Sequence, residues 1–153
     1  MASITWSPYK SGLPEVTDAD LNEVEAARGV KLPADYRETV KAHRGDIPTP
    51  GVANVGEAQI PVNALFFVKK DATENNSYNM WSYIEDMDGE LGDLAARLVP
   101  FTSDSSHGIF VFDYRNGDTP SVSLVDMDLT EEEDGLITPV AGSFADFLNG
   151  LHD

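Results

Sequence analysis

The sequence predicts an α+β fold: a single domain in which an N-terminal helix pair and a C-terminal helix pack around a mainly antiparallel sheet. Three observations carry this. Residues 17–44 spell two short helices joined by a Gly-Val-Lys-Leu-Pro corner, a capped apolar stripe closes the chain from Ser143, and apolar runs of strand length lie between them. The 153 residues fall in the usual single-domain range, and a 41% hydrophobic content is enough for one core.

Residues 1–16 read as an extended arm or a first edge strand around Ile4-Thr5-Trp6, and the domain proper as residues 17–153. Thr17 and Asp20 stand at capping-box spacing, where a hydroxyl and a carboxylate satisfy orphan N–H groups, so a helix starts there. Leu21, Val24 and Ala27 form its apolar positions, and Gly29 closes it with Val30 folding back over the last turn. Pro33 suits the first turn of a second helix, whose Tyr36 and Val40 lie four apart on one face with His43 a turn later. On this reading Tyr36 is a half-buried anchor, Arg37 an exposed helix cation and His43 a helix-end residue favoured by the dipole. Gly45 to Pro61, rich in Pro and Gly, reads as an ordered loop, and the apolar run Asn63 to Lys69 as a buried strand. Met80, Trp81, Ile84 and Met87 recur at helical spacing, which predicts a third helix from Ser77 to about Met87. Gly108 to Tyr114 and Ser121 to Met127 read as paired strands joined by a tight turn at Asn116-Gly117. Ser143 and Asp146 make a second capping box, with Phe144, Phe147, Leu148 and Leu151 as the inward stripe of the closing helix.

Several of these blocks resemble a known family. Glu25, Gly29, Leu32-Pro33-Ala34-Asp35-Tyr36-Arg37 and Arg44-Gly45-Asp46-Ile47-Pro48 are similar to the signature of the SUKH superfamily, named partly for the Smi and Knr cell-wall regulators. Val99-Pro100-Phe101-Thr102-Ser103-Asp104 and Ser143-Phe144-Ala145-Asp146-Phe147-Leu148 resemble two later segments of the same family, in the same order. The likeness runs from about Thr17 to Leu151, and its one departure is Asp46, where the family has a second Gly. The resemblance implies a bacterial immunity protein, since many bacterial members neutralise a cognate toxin, often a nuclease. Eukaryotic relatives suggest a rival reading, a non-enzymatic regulatory or scaffolding adaptor that binds a cellular protein.

Charge is distributed very unevenly. Residues 1–70 hold eight basic and nine acidic side chains, whereas residues 71–153 hold two and eighteen, so almost all of the net −17 sits in the second half. Two clusters dominate it: Glu85, Asp86, Asp88, Glu90 and Asp93, then Asp126, Asp128, Glu131, Glu132, Glu133 and Asp134. One reading is a solubilising surface. The sharper one is an acidic face that docks on a basic protein, steered by complementary charge. Direct binding of nucleic acid is disfavoured, because a phosphate backbone needs Lys and Arg, but nuclease domains are themselves basic where they grip phosphate. Trp81 or Tyr83, taken as exposed aromatics, would supply the anchor that charge alone does not. The predicted partner-binding residues are Trp81 together with Glu85, Asp86, Asp88, Glu90, Asp126, Asp128, Glu131, Glu132, Glu133 and Asp134.

The remaining chemistry gives little else to build on. Asp86-Met87-Asp88-Gly89 resembles part of a calcium loop, yet alignment on Gly89 puts Ile84 and Ala95 at essential ligand positions. His43, His107 and His152 have no nearby His or Cys, so no zinc site is expected and no cofactor. Nucleophile-elbow, phosphate-loop and dinucleotide motifs are absent from the sequence, and Ser105-Ser106-His107 reads as a serine-rich turn, so no enzymatic activity is expected. The first twenty residues lack a basic-apolar leader, no apolar run is long enough to span a bilayer, and there is no cysteine. A cytoplasmic protein without membrane partners is the expectation.

Overall fold

The computed structural model describes residues 4–72, 76–104, 106–129 and 135–153. In chain order the elements are β1 (Thr5–Pro8), α1 (Asp18–Arg28), α2 (Ala34–His43), β2 (Asp46–Thr49), β3 (Val52–Val55), β4 (Ala58–Pro61), α3 (Met80–Leu91), β5 (Leu98–Ser103), β6 (Gly108–Asp113), β7 (Ser121–Asp126), β8 (Ile137–Ala141) and α4 (Phe144–Asn149). The last four strands form an antiparallel meander in the order β5-β6-β7-β8, and two antiparallel ribbons, β1 with β2 and β3 with β4, accompany it. The α+β class and the antiparallel sheet are those the sequence predicts.

Both helix-start signals work as chemistry. Thr17 Oγ1 accepts the Asp20 N–H at 3.2 Å while Asp20 Oδ2 accepts the Thr17 N–H at 3.0 Å, so two orphan donors are satisfied reciprocally. Gly29 takes a left-handed conformation (φ 66°), and the Val30 N–H returns to the Glu25 carbonyl at 3.1 Å. Leu21 and Val24 are buried, but Ala27 is exposed: the inward place belongs to Arg28, whose side chain is 7% exposed. In α4 one arm of the predicted box forms among the described residues, Ser143 Oγ accepting the Asp146 N–H at 3.0 Å, and Phe144, Phe147 and Leu151 are buried.

Tyr36 is fully buried rather than half-buried. It is the centre of an aromatic cluster, edge-on to Phe112 at 4.9 Å, Phe144 at 5.6 Å and Phe101 at 6.1 Å, which ties α2 to the sheet and to α4. Its hydroxyl is buried without a hydrogen-bond partner among the described residues, and burial holds its pKa well above the ordinary phenol range. Arg37, expected as an exposed cation, is only 18% exposed and ion-pairs Asp18 at 3.1 Å and Glu25 at 3.0 Å on α1, locking the helix pair. His43 stacks on Trp6 with centroids 5.2 Å apart, and its Nδ1 meets Asp46 at 3.1 Å. Asp46 therefore opens β2 and holds the helix end where the family has a second Gly. Gly45 before it cannot be replaced: its φ is 78°, and a Cβ there would lie 2.6 Å from the Lys10 carbonyl oxygen.

Three middle segments differ from expectation. Residues 45–61 are one ribbon strand, β2, and a hairpin, β3–β4, because the Pro and Gly residues sit at edges and turns where a missing N–H or a positive φ is tolerated. Asn63 to Lys69 is buried as predicted over Ala64–Val68, with Lys69 exposed, but it is not a strand. Its N–H groups are divided among three neighbours, Leu65 to Asp46 O, Asn63 and Phe66 to Ser103 O and Phe101 O of β5, and Phe67 to Tyr78 O, so no single ladder forms. Thr102 Oγ1 also donates to the Ala64 carbonyl at 2.8 Å, so this irregular segment covers the outer edge of β5. The third helix starts later than Ser77: Asn79 caps it, accepting the Trp81 N–H, after a 3₁₀ turn at Asn76–Tyr78, and it runs on to Leu91. Asn116-Gly117 lies within a longer connection, residues 114–120, rather than a two-residue turn. β8 has no counterpart among the predicted elements.

The core continues from the aromatic cluster into a second apolar group, in which Met87, Leu91 and Ala95 lie against Leu98, Ile109, Val111 and Val125. Alternation along β6 and β7 places these residues under α3, and that contact fixes the helix over one end of the sheet.

Candidate partner-binding site

Met80, Trp81, Ile84, Met87 and Leu91 face the core at three- and four-residue spacing, so the intervening Glu85, Asp86, Asp88 and Glu90 point outward. Glu85, Asp86 and Glu90 are exposed with no ion-pair partner among the described residues, as is Asp93 in the 3₁₀ turn Gly92–Arg97 that follows. Asp88 differs, since it pairs with Arg28 Nη1 of α1 at 2.9 Å. Trp81, expected to be exposed, is 7% exposed. It packs into the core in the first turn of α3, and Lys70 Nζ lies 5.0 Å from its ring centroid. The expectation of an exposed indole is corrected by the position of Asn79, which starts the helix so that Trp81 and Ile84 share the inward face.

Tyr83 is partly exposed and rigidly held. Its ring stacks on Phe66 with centroids 4.2 Å apart and planes 10° from parallel, and its hydroxyl donates to the Ser77 carbonyl at 2.8 Å. Burial, with the nearby Asp86 charge, pushes the phenol pKa up. Tyr83 forms one wall of a groove of about 260 Å³ shared with Asp86, Ser103, His107, Ile109 and Met127. The second acidic cluster reaches the same groove: Asp128 Oδ2 lies 2.9 Å from His107 Nδ1, and Asp126 Oδ1 accepts the Asp128 N–H at 3.0 Å. Asp86 and His107 thus both line the groove, with Asp128 held behind His107. Glu131, Glu132, Glu133 and Asp134 lie outside the described residues.

Around α1 and α2 charge is largely neutralised. Asp18 pairs with Arg37 and Lys41, Glu25 with Arg37, and Glu38 with Lys41 at 3.1 Å. The Asp18 carboxyl is held below its usual range by its hydrogen bonds from Arg37 and Lys41.

A family model for the SMI1/KNR4 family (SUKH-1) matches residues 15–150. The chain belongs to this family. No curated protein matches the chain in sequence.

The stretch matched by the SMI1/KNR4 model takes in the helix pair, the meander and α4, and so every described residue of the groove. Groove residues His107, Ile109 and Met127 are not in the predicted set. A signal for two of them exists in the period-two alternation that puts Ile109 with Val111, and Val125 with Met127, on the face covered by α3. His107 has no such signal, because its place at the groove depends on how the β5–β6 turn is held. There Asp104 Oδ1 accepts the Ser106 N–H at 2.6 Å and the Gly108 N–H at 3.0 Å. Among the described residues no group of three or more His, Asp or Glu side chains is placed to hold a metal ion, and no helix is long and apolar enough to cross a membrane. Chemically the groove offers hydrogen-bond acceptors, an aromatic wall and negative charge, and it has no Lys or Arg among its described lining.

Proposed function

We propose that this SMI1/KNR4-family chain is an immunity protein that binds and neutralises a cognate bacterial toxin, a nuclease by preference, through its acidic surface. It acts by occupancy, without catalysis and without a cofactor, in the cytoplasm where such a toxin would strike. The observation that carries the reading is the segregation of charge. The acids around α1 and α2 are largely paired, whereas Glu85, Asp86 and Glu90 project from α3 with no counter-ion among the described residues. Carboxylates left unpaired beside a groove repel one another until a basic surface covers them, and a nuclease cleft is such a surface. The proposed contact surface comprises Glu85, Asp86, Glu90, Asp126 and Asp128, with residues 131–134 beside them in the chain.

The test is a calorimetric titration with the C-terminal domain encoded next to this chain's gene, at low and high salt. Nanomolar or tighter binding that weakens with salt supports a toxin held through the acidic face. Absence of binding moves the weight to a cellular adaptor. The Asp128→Lys, Glu131→Lys, Glu132→Lys triple variant is expected to lose protection, and full protection by it removes the second cluster from the interface.

A further inference from the structure

We propose that the groove between α3 and the β5–β6 turn is the anchor pocket of this surface, and that its occupant is one arginine side chain of the partner protein. The proposal rests on the immunity reading for the identity of the partner, but the pocket can be tested without it. An arginine needs a flat surface for its guanidinium, apolar contact for its stem and a carboxylate within reach. Tyr83 gives the flat surface, and its stack on Phe66 and hydrogen bond to Ser77 set the ring before any partner arrives. Ile109 and Met127 give apolar contact, and Asp86 gives the carboxylate.

Two further observations favour a cation over other occupants. No Lys or Arg lines this groove or the two shallow grooves that meet it at Tyr83, among the described residues, so no internal cation competes for the site. A second carboxylate, Asp128, also stands close by, bonded to the groove residue His107. At about 260 Å³ the groove is smaller than the ~300–1,000 Å³ of typical small-molecule sites, and it suits one side chain presented by a larger surface. Arginine is preferred to lysine because the guanidinium stacks on an aromatic ring and can bond a carboxylate in bidentate fashion, whereas an ammonium holds its water more tightly. Interface energy concentrates in such tyrosine and arginine contacts, so this groove is where the surrounding charges find a fixed register.

The experiment is an amide chemical-shift titration of the full chain with N-acetyl-arginine amide, with the lysine and citrulline amides as comparisons. Citrulline keeps the shape of arginine and removes its charge. The expected result is saturable shifts confined to Tyr83, Asp86, Gly108 and Met127 with arginine, weaker ones with lysine and none with citrulline. Asp86→Asn, a surface substitution, is expected to weaken arginine binding by about tenfold or more, as loss of one charge-assisted hydrogen bond does. An equal response to citrulline, unsaturable shifts spread over all the surface acids, or an unaltered Asp86→Asn titration would overturn the proposal. So would a toxin complex of unchanged affinity in Asp86→Asn. If no toxin complex forms, the immunity reading fails, and the arginine titration still decides the pocket.

Discussion

Asp88→Asn leaves the Arg28 guanidinium its charge and removes its counter-ion. The Arg28 side chain is 7% exposed; its Nε donates to the Leu98 carbonyl at 3.1 Å and its Nη1 to Asp88 at 2.9 Å, while Nη2 is buried with no partner among the described residues. Breaking a fully buried ion pair costs about 3–5 kcal/mol, and an exposed one about 0.2–1 kcal/mol. Asp88 is 49% exposed, so water screens one end of this pair and the cost lies between the two limits, at about 1–2 kcal/mol. For a domain of this size that is a fall in Tm of roughly 2–8 °C. Differential scanning calorimetry or urea melts read it directly. Glu90→Gln, on the same helix with no ion pair among the described residues, is expected to stay within about 0.5 kcal/mol of the parent. Partner binding should show the reverse pattern: slower association for Glu90→Gln and an unchanged rate for folded Asp88→Asn. An Asp88→Asn protein that melts with the parent but binds poorly would refute the reasoning and return Asp88 to the interface.

Tyr36→Phe removes a buried hydroxyl that has no partner among the described residues, so it is expected to raise stability by about 1 kcal/mol, read in urea melts; destabilisation would reveal a bound water or another acceptor at the hydroxyl. Asp113 is nearly buried, and although burial opposes its charge, the Arg115 guanidinium and backbone N–H, with the Ser123 hydroxyl, hold its carboxyl below the usual range. Its folded pKa is thus depressed, so its contribution is complete above the unfolded value of about 4 and is lost as pH falls through the folded value. Asp113→Asn should lower stability at neutral pH and flatten the acid limb of a pH series of urea midpoints; an unchanged acid slope would place the linkage elsewhere. Stopped-flow association with the partner should slow as salt rises, and a Glu85→Lys, Glu90→Lys variant should slow it by at least about tenfold at low salt; a salt-independent rate would remove steering from the proposal.

Local chemistry was the most legible part of this fold. The two caps at Thr17 and Ser143, the left-handed Gly29 and the apolar stripe of α3 each depend on residues within a turn or two of one another, and spacing alone reveals them. Long-range pairing was not legible. Arg28 and Asp88 are 60 residues apart, so nothing in the local pattern distinguishes a structural acid from its exposed neighbours. Trp81 was misassigned because an aromatic at a helix start reads as exposed or buried according to which residue caps the helix. The apolar run from Ala64 to Val68 has strand composition but not strand pairing, because its partners come from three directions. The groove itself joins residues from α3, the β5–β6 turn and the end of β7; Tyr83 and Asp86 stand out in the sequence, strand alternation signals Ile109 and Met127, and His107 has no local signal.

That apolar run carries a further consequence. Ala64-Leu65-Phe66-Phe67-Val68 is an uncharged segment with two adjacent aromatics and no proline, the composition that stacks readily into cross-strand aggregates once free. Here its N–H groups are taken up by distant parts of the chain, and Phe66 is covered by Tyr83 of α3. Its confinement therefore depends in part on α3 staying seated, and Arg28–Asp88 is one of the ties that seats it. A change that loosens α3 does more than lower affinity for a partner: it uncovers a segment of the chain whose composition favours self-association. For such variants the amount of protein that stays dispersed in the cell, rather than its binding constant, sets how much function survives.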